Sequence, residues 1–178
     1  LGISKSENRN PYLNADTFQQ LDLLVFEALE EAITNFRPTH ILHTAALTSV
    51  EVCEQQPELA QQINVELPKK LAEICKKYSI HYTFLSTDFV FDGNNGPYKE
   101  TDIVSATNEY GQSKIDAEKA ILANNEEAAI LRTILVYGAI PDKNRSNLVL
   151  WAKKQLENGA SIKVVSDQWR MPTWVDDL

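Results

Sequence analysis

The sequence predicts an α/β fold, an open parallel sheet wound with helices on both faces. Three observations point there. Short apolar runs alternate with longer segments whose apolar residues recur at helical spacing. The joints between them are rich in Gly, Pro, Asn and Asp. The alternation runs through the chain without an all-helix or all-strand block, which is the signature of βαβ units. With 178 residues, 43% hydrophobic and 24% charged, the chain has the size and composition of one globular domain.

Each element has its own warrant. Leu24, Val25, Ala28, Leu29, Ala32, Ile33 and Phe36 share one helical face, and Pro38 ends that helix. His40–His43 reads as a short buried strand. Pro57 suits a first helical turn and opens a helix to about Tyr78, within which Pro68 is expected to cause a kink or a local rearrangement. His81–Ser86 is an aromatic and apolar strand, followed by the turn-rich loop Asp92–Pro97. Tyr110 to Asn124 is expected to be helical, Ala129 to Val136 a strand, Asn147 to Glu157 a helix closed by Gly159, and Ile162–Val165 a last strand.

The formal net charge is −8, which disfavours nucleic acid and anionic membranes as partners. A small phosphorylated ligand remains compatible, because it needs only a few local donors. No apolar run approaches the roughly 18–20 residues of a membrane span. There is no signal-like start, and we expect a cytoplasmic protein. Cys53 and Cys75 fit no metal or redox spacing and read as reduced thiols on helices; no metal site is expected. His40, His43 and His81 read as strand-edge packing, and Trp151, Trp169 and Trp174 as core or substrate-lobe packing. The chain begins at Leu1 rather than Met and ends on a nascent helix at Val175, so further sequence is expected at both ends.

In open α/β sheets, ligands bind beyond the carboxyl ends of the strands. There the sequence places Tyr110-Gly111-Gln112-Ser113-Lys114, whose first and last residues share one helix face a turn apart. A neighbouring ammonium should lower the tyrosine's pKa from about 10 and make it a usable proton donor. Ser86-Thr87-Asp88 ends the preceding strand, where a hydroxyl could polarise a substrate carbonyl.

These residues carry a resemblance. His43-Thr44-Ala45-Ala46, then Asn64, Ser86 through Gly93, Pro97-Tyr98-Lys99-Glu100, Tyr110 through Lys114, Leu131-Arg132-Thr133 and Asp167 through Thr173 follow the order seen in the extended short-chain dehydrogenase/reductases. Within that superfamily the chain most resembles the dTDP-4-dehydrorhamnose reductases. The likeness implies a Rossmann-like doubly wound sheet binding NADP or NAD, with residues 138–178 contributing to a substrate lobe. It implies that Tyr110 donates the proton, that Lys114 tunes it and holds the nicotinamide ribose, and that Thr87 bonds the reacting oxygen. Asp22 and Leu23 match the pair beside the adenine, Ala45 and Ala46 the small residues under the cofactor, and Asn64 a polar position near it. Thr87, Asp88 and Arg170 fall on the substrate side, with Arg170 matching an arginine that meets the nucleotide diphosphate.

The implied substrate is a nucleotide-linked sugar, reduced at a 4-keto carbon; the assembly, where there is one, would be a homodimer. Two departures, Leu135 and Phe89 where the reductases carry aromatic and Tyr residues, leave the hexose open. The Gly-rich pyrophosphate turn does not occur in these residues and is expected about 20 residues upstream. Ser4, Lys5 and Arg9 lie where the second strand of a Rossmann half should end, and Lys5 could meet a 2′-phosphate. The rival readings are an epimerase or dehydratase of the same superfamily, and a non-catalytic dinucleotide-binding regulatory subunit.

Overall fold

The computed structural model describes residues 1–139, 147–168 and 170–178. Trp169 and the start of the expected lobe segment, at 140–146, lie outside them. The elements in chain order are β1 (Gly2–Ser4), β2 (Phe18–Gln20), α1 (Phe26–Phe36), β3 (His40–His43), α2 (Val50–Gln55) and α3 (Pro57–Gln61). A π turn (Gln62–Glu66) leads into α4 (Leu67–Tyr78), then β4 (His81–Thr87), α5 (Glu109–Asn124), β5 (Ala129–Thr133), β6 (Val136–Tyr137), α6 (Leu148–Glu157) and β7 (Thr173–Trp174). Single 3₁₀ turns follow β4 and β7.

Among the described residues every strand pairing is parallel: β1 with β2, β3 with β4 with β5, and β6 with β7. This is the parallel α/β architecture that the alternation of elements predicts, in the Rossmann-like form that the resemblance implies. The period-2 pattern of β4 turns Tyr82, Phe84 and Ser86 to one face. Leu67, Leu71, Ala72, Ile74 and Cys75 of α4 meet that face, as do Ala117 and Ile121 of α5 and Leu29 and Ile33 of α1. Full burial of each large side chain contributes about 1.5–3 kcal/mol. The helix-lined face thereby fixes α5, and with it the residues of interest. Cys53 and Cys75 are free and buried on α2 and α4.

Several expectations change. The strand expected over Ala129–Val136 breaks after Thr133; β6 pairs not with β4 but with β7. Ile162–Val165 forms no strand. Val164 and Val165 are 74% and 64% exposed, and without a partner strand β propensity alone does not make a strand. Helix α2 went unread although Ser49 caps it, accepting from Val52 N at 3.2 Å. The disturbance expected at Pro68 takes the form of a local rearrangement: the π turn just before it breaks the regular helix and leaves Pro68 in the first turn of α4, where its missing N–H is tolerated. Trp151 is exposed rather than core, while Trp174 packs edge-on to Tyr137. No helix among the described residues is long and apolar enough to cross a membrane.

Candidate active site

The carboxyl end of β4 and the first turns of α5 meet at one place. Asn108 caps α5, its Oδ1 accepting from Gly111 N at 2.8 Å, and Glu109 suits the positive helix end. Glu54 of α2 adds a second acceptor, taking Glu109 N at 2.9 Å. Gly111 is where α5 touches the β4 extension: a Cβ there would collide with the Phe89 carbonyl. That approach lays Tyr110 edge-on to Phe89, centroids 5.7 Å apart.

Thr87 is buried at the end of β4. Its hydroxyl donates to Asp88 Oδ1 at 3.2 Å and accepts from Phe89 N at 3.3 Å. Tyr110 is half-buried, and burial pushes its phenol above the ordinary tyrosine range. The Thr87 hydroxyl opposes that rise, while the charges of Asp88 and Cys53 add to it. The expected lowering by Lys114 is therefore overruled, and the geometry gives the reason. The Lys114 ammonium donates to the Leu85 carbonyl at 2.7 Å and lies 3.9 Å from the centre of the Phe84 ring. At 2% exposure it is desolvated, which drives it down to about 8, while Glu118 pulls the other way.

The π turn aims Asn64 inward, at 1% exposure. Its Oδ1 accepts from Leu47 N at 2.8 Å, and its Nδ2 donates to Leu47 O at 3.0 Å and Ser113 Oγ at 2.9 Å. Asn64 thus clamps the loop that carries Ala45 and Ala46, both half-buried just past β3, and ties it to α5. Asp22 and Leu23 follow β2. Asp22 Oδ2 pairs with Lys5 at 2.7 Å and its Oδ1 accepts from Leu24 N, so Lys5, read as a phosphate contact, is engaged by the acid next to it. Arg170 donates to Asp88 Oδ2 at 2.8 Å and its guanidinium lies 4.7 Å from the Phe89 ring centre. Tyr110, Lys114, Thr87, Asp88 and Arg170 are one cluster; Ala45, Ala46 and Asn64 adjoin it; Asp22 and Leu23 lie apart, at the end of β2.

The sequence reading gave no role to three residues beside this cluster. His43 is 4% exposed, its Nδ1 2.7 Å from Tyr82 Oη, and its Nε2 finds no hydrogen-bond partner among the described residues. Glu118 and Arg132 form a bidentate pair, Nη2 to Oε2 at 2.6 Å and Nε to Oε1 at 3.0 Å. A signal for Glu118 was present: it stands four residues beyond Lys114 on one helix face.

Residues 3–178 match the RmlD substrate binding domain. The chain belongs to that family. Its likeness to the extended short-chain dehydrogenase/reductases is thereby borne out. The chain is 38% identical over 161 residues to methionine adenosyltransferase 2 subunit beta of Rattus norvegicus, covering 90% of this chain and 48% of that one. It is 35% identical over 158 residues to a probable low-salt glycan biosynthesis reductase of Haloferax volcanii, covering 86% and 52%. Among solved structures, dTDP-4-dehydrorhamnose reductase of Bacillus anthracis, in complex with NADP, superposes with a TM-score of 0.84 at 26% identity, covering 98% of this chain and 66% of that one. The chain spans about half the length of the curated relatives it matches.

Proposed function

We propose that this RmlD-family chain carries the catalytic part of an NAD(P)H-dependent reductase that acts on the 4-keto carbon of a nucleotide-linked sugar. The observation that carries this reading is the joint placement of Tyr110, Lys114 and Thr87 at the carboxyl end of β4. The residues present suit the nicotinamide end of a dinucleotide, with a buried ammonium one helical turn from a phenol, and the adenine end, with an acid after β2. Bound NAD(P)H supplies the hydride. Tyr110 holds a proton at its phenol oxygen and passes it to the carbonyl oxygen, a task for which a raised pKa keeps the phenol protonated. Thr87 turns its hydroxyl from Asp88 to donate a hydrogen bond to the same oxygen. Lys114 holds ribose hydroxyls. Asn64 fixes the loop of Ala45 and Ala46, against which the cofactor lies. Residues 138–178 begin the substrate lobe, and Arg170 brings a cation from it to Asp88 for the diphosphate.

The test is single-turnover oxidation of bound NAD(P)H by a 4-keto nucleotide sugar. Tyr110→Phe keeps the ring and should cut the rate about 10²-fold or more while dinucleotide binding persists. Equal rates would end the assignment. The 38% identity to methionine adenosyltransferase 2 subunit beta favours a second reading, a regulatory subunit. It expects no turnover in the wild type and no effect of Tyr110→Phe on the partner enzyme.

A further inference from the structure

Below the Tyr110–Lys114 face lies a second polar layer that the mechanism above does not use. Glu118 is one helical turn past Lys114 on α5 and only 6% exposed. Its carboxylate accepts from Ser86 Oγ at 2.5 Å and from Arg132 Nε and Nη2 at 3.0 and 2.6 Å. Ser86 and Arg132 are register partners on β4 and β5, so the sheet itself sets where the carboxylate sits. Arg132 is held in turn, donating from Nη1 to the Glu100 carbonyl at 3.2 Å and lying 5.2 Å from the Phe91 ring centre. Burying a carboxylate is costly, and the bidentate Arg132 pair together with the Ser86 hydroxyl offsets that cost. The pair is built one helical turn from a buried lysine.

The groups around that lysine come from three strands and a helix. From β3, His43 feels the lysine's charge, which helps burial keep the imidazole neutral. From β4 come the Phe84 ring and the Leu85 carbonyl. Tyr110 and Glu118 flank it on α5, and Arg132 of β5 stands behind Glu118. Among these groups Glu118 is the carboxylate that acts on Lys114.

We propose that Glu118, pinned by Ser86 and Arg132, is a positioning residue that serves as the fixed counter-charge of Lys114. The inference deepens the reductase reading and rests on it for its effect on turnover. Burial already brings Lys114 down to about 8, so removing the counter-charge lets it lose its proton at lower pH.

The experiment is a ¹³C NMR titration of Cε-labelled lysine in the whole chain, with the Lys114 signal identified by its loss in Lys114→Met. Glu118→Gln keeps the size and a hydrogen bond to Ser86, and should lower the Lys114 titration by about one pH unit or more. Arg132→Gln frees the carboxylate from its partner and should move the lysine the opposite way, so either variant decides if the other does not fold. Glu118→Asp should restore part of the shift. The alkaline limb of the single-turnover rate should move down in Glu118→Gln by the same amount. A Lys114 signal that titrates as in the wild type in a folded variant overturns the proposal. A moved signal in a chain that shows no turnover leaves the counter-charge standing and removes the reductase reading instead.

Discussion

Arg170 donates to the Asp88 carboxylate at 2.8 Å across 82 residues of sequence, and so ties the C-terminal segment to the end of β4. The guanidinium is partly exposed, with 32% of its side chain accessible, and can exchange that carboxylate for a phosphate. Arg170→Ala should therefore raise the substrate KM by a factor that corresponds to about 1.5–3 kcal/mol, with a smaller effect on the cofactor. Steady-state kinetics with the substrate and the dinucleotide varied in turn checks this. An unchanged KM would leave Arg170 as a structural tie.

Lys114 is expected to cost stability. Its folded-state value near 8 lies below the ordinary lysine value of about 10.4, so its protonated form is disfavoured by folding at neutral pH. Stability should rise as pH climbs from 8 toward 10.4. Lys114→Met should raise the chemical-denaturation midpoint at pH 7 by the equivalent of about 1–3 kcal/mol, while turnover and dinucleotide affinity fall. A destabilised Lys114→Met protein would contradict this.

His43 gives the fold an acid limit. Burial, with help from the charge of Lys114, pushes it down to about 3, whereas the unfolded chain titrates near about 6.5. The unfolded state binds the extra proton between those values, so stability is full above about 6.5 and is lost as pH falls toward 3. Denaturation at pH 7 and pH 5 should differ by about 1–2 kcal/mol from this residue, and His43→Asn should flatten the difference.

Gly111→Ala tests the close approach of α5 to β4. The added Cβ meets the Phe89 carbonyl, so α5 must shift, costing about 1–3 kcal/mol. Because the shift occurs one residue from Tyr110, turnover should drop by more than stability alone explains, as rates at a temperature well below the melting point would show.

Much of this was legible in the sequence for a physical reason. Short-range signals survive folding unchanged: Tyr110 and Lys114 share a helix face because of the helical period, and Pro38 and Gly159 stop helices by local conformation. What long-range packing decides was not legible. Nothing near Ile162 reveals that its strand lacks a neighbour, and nothing near Glu118 names Ser86 and Arg132, which β4 and β5 deliver to it. The phenol's raised pKa is likewise set by burial, whereas the Tyr-x-x-x-Lys spacing alone suggested the opposite sign.

The π turn at Gln62–Glu66 makes the number of residues in this stretch matter as much as their identity. Losing one residue here would press the stretch toward an ordinary helix running straight through, with Pro68 in its interior and only that residue's backbone hydrogen bond unmade. The two halves would then meet about 100° out of phase. The side of Pro57–Gln61 that rests on α5 would swing away, and no residue could occupy the place of Asn64 between Leu47 and Ser113. A one-residue deletion should leave the helical content of this stretch intact by circular dichroism and still release the loop beyond β3. The spacing of the chain here acts as a phase setting, and no side-chain substitution can restore it.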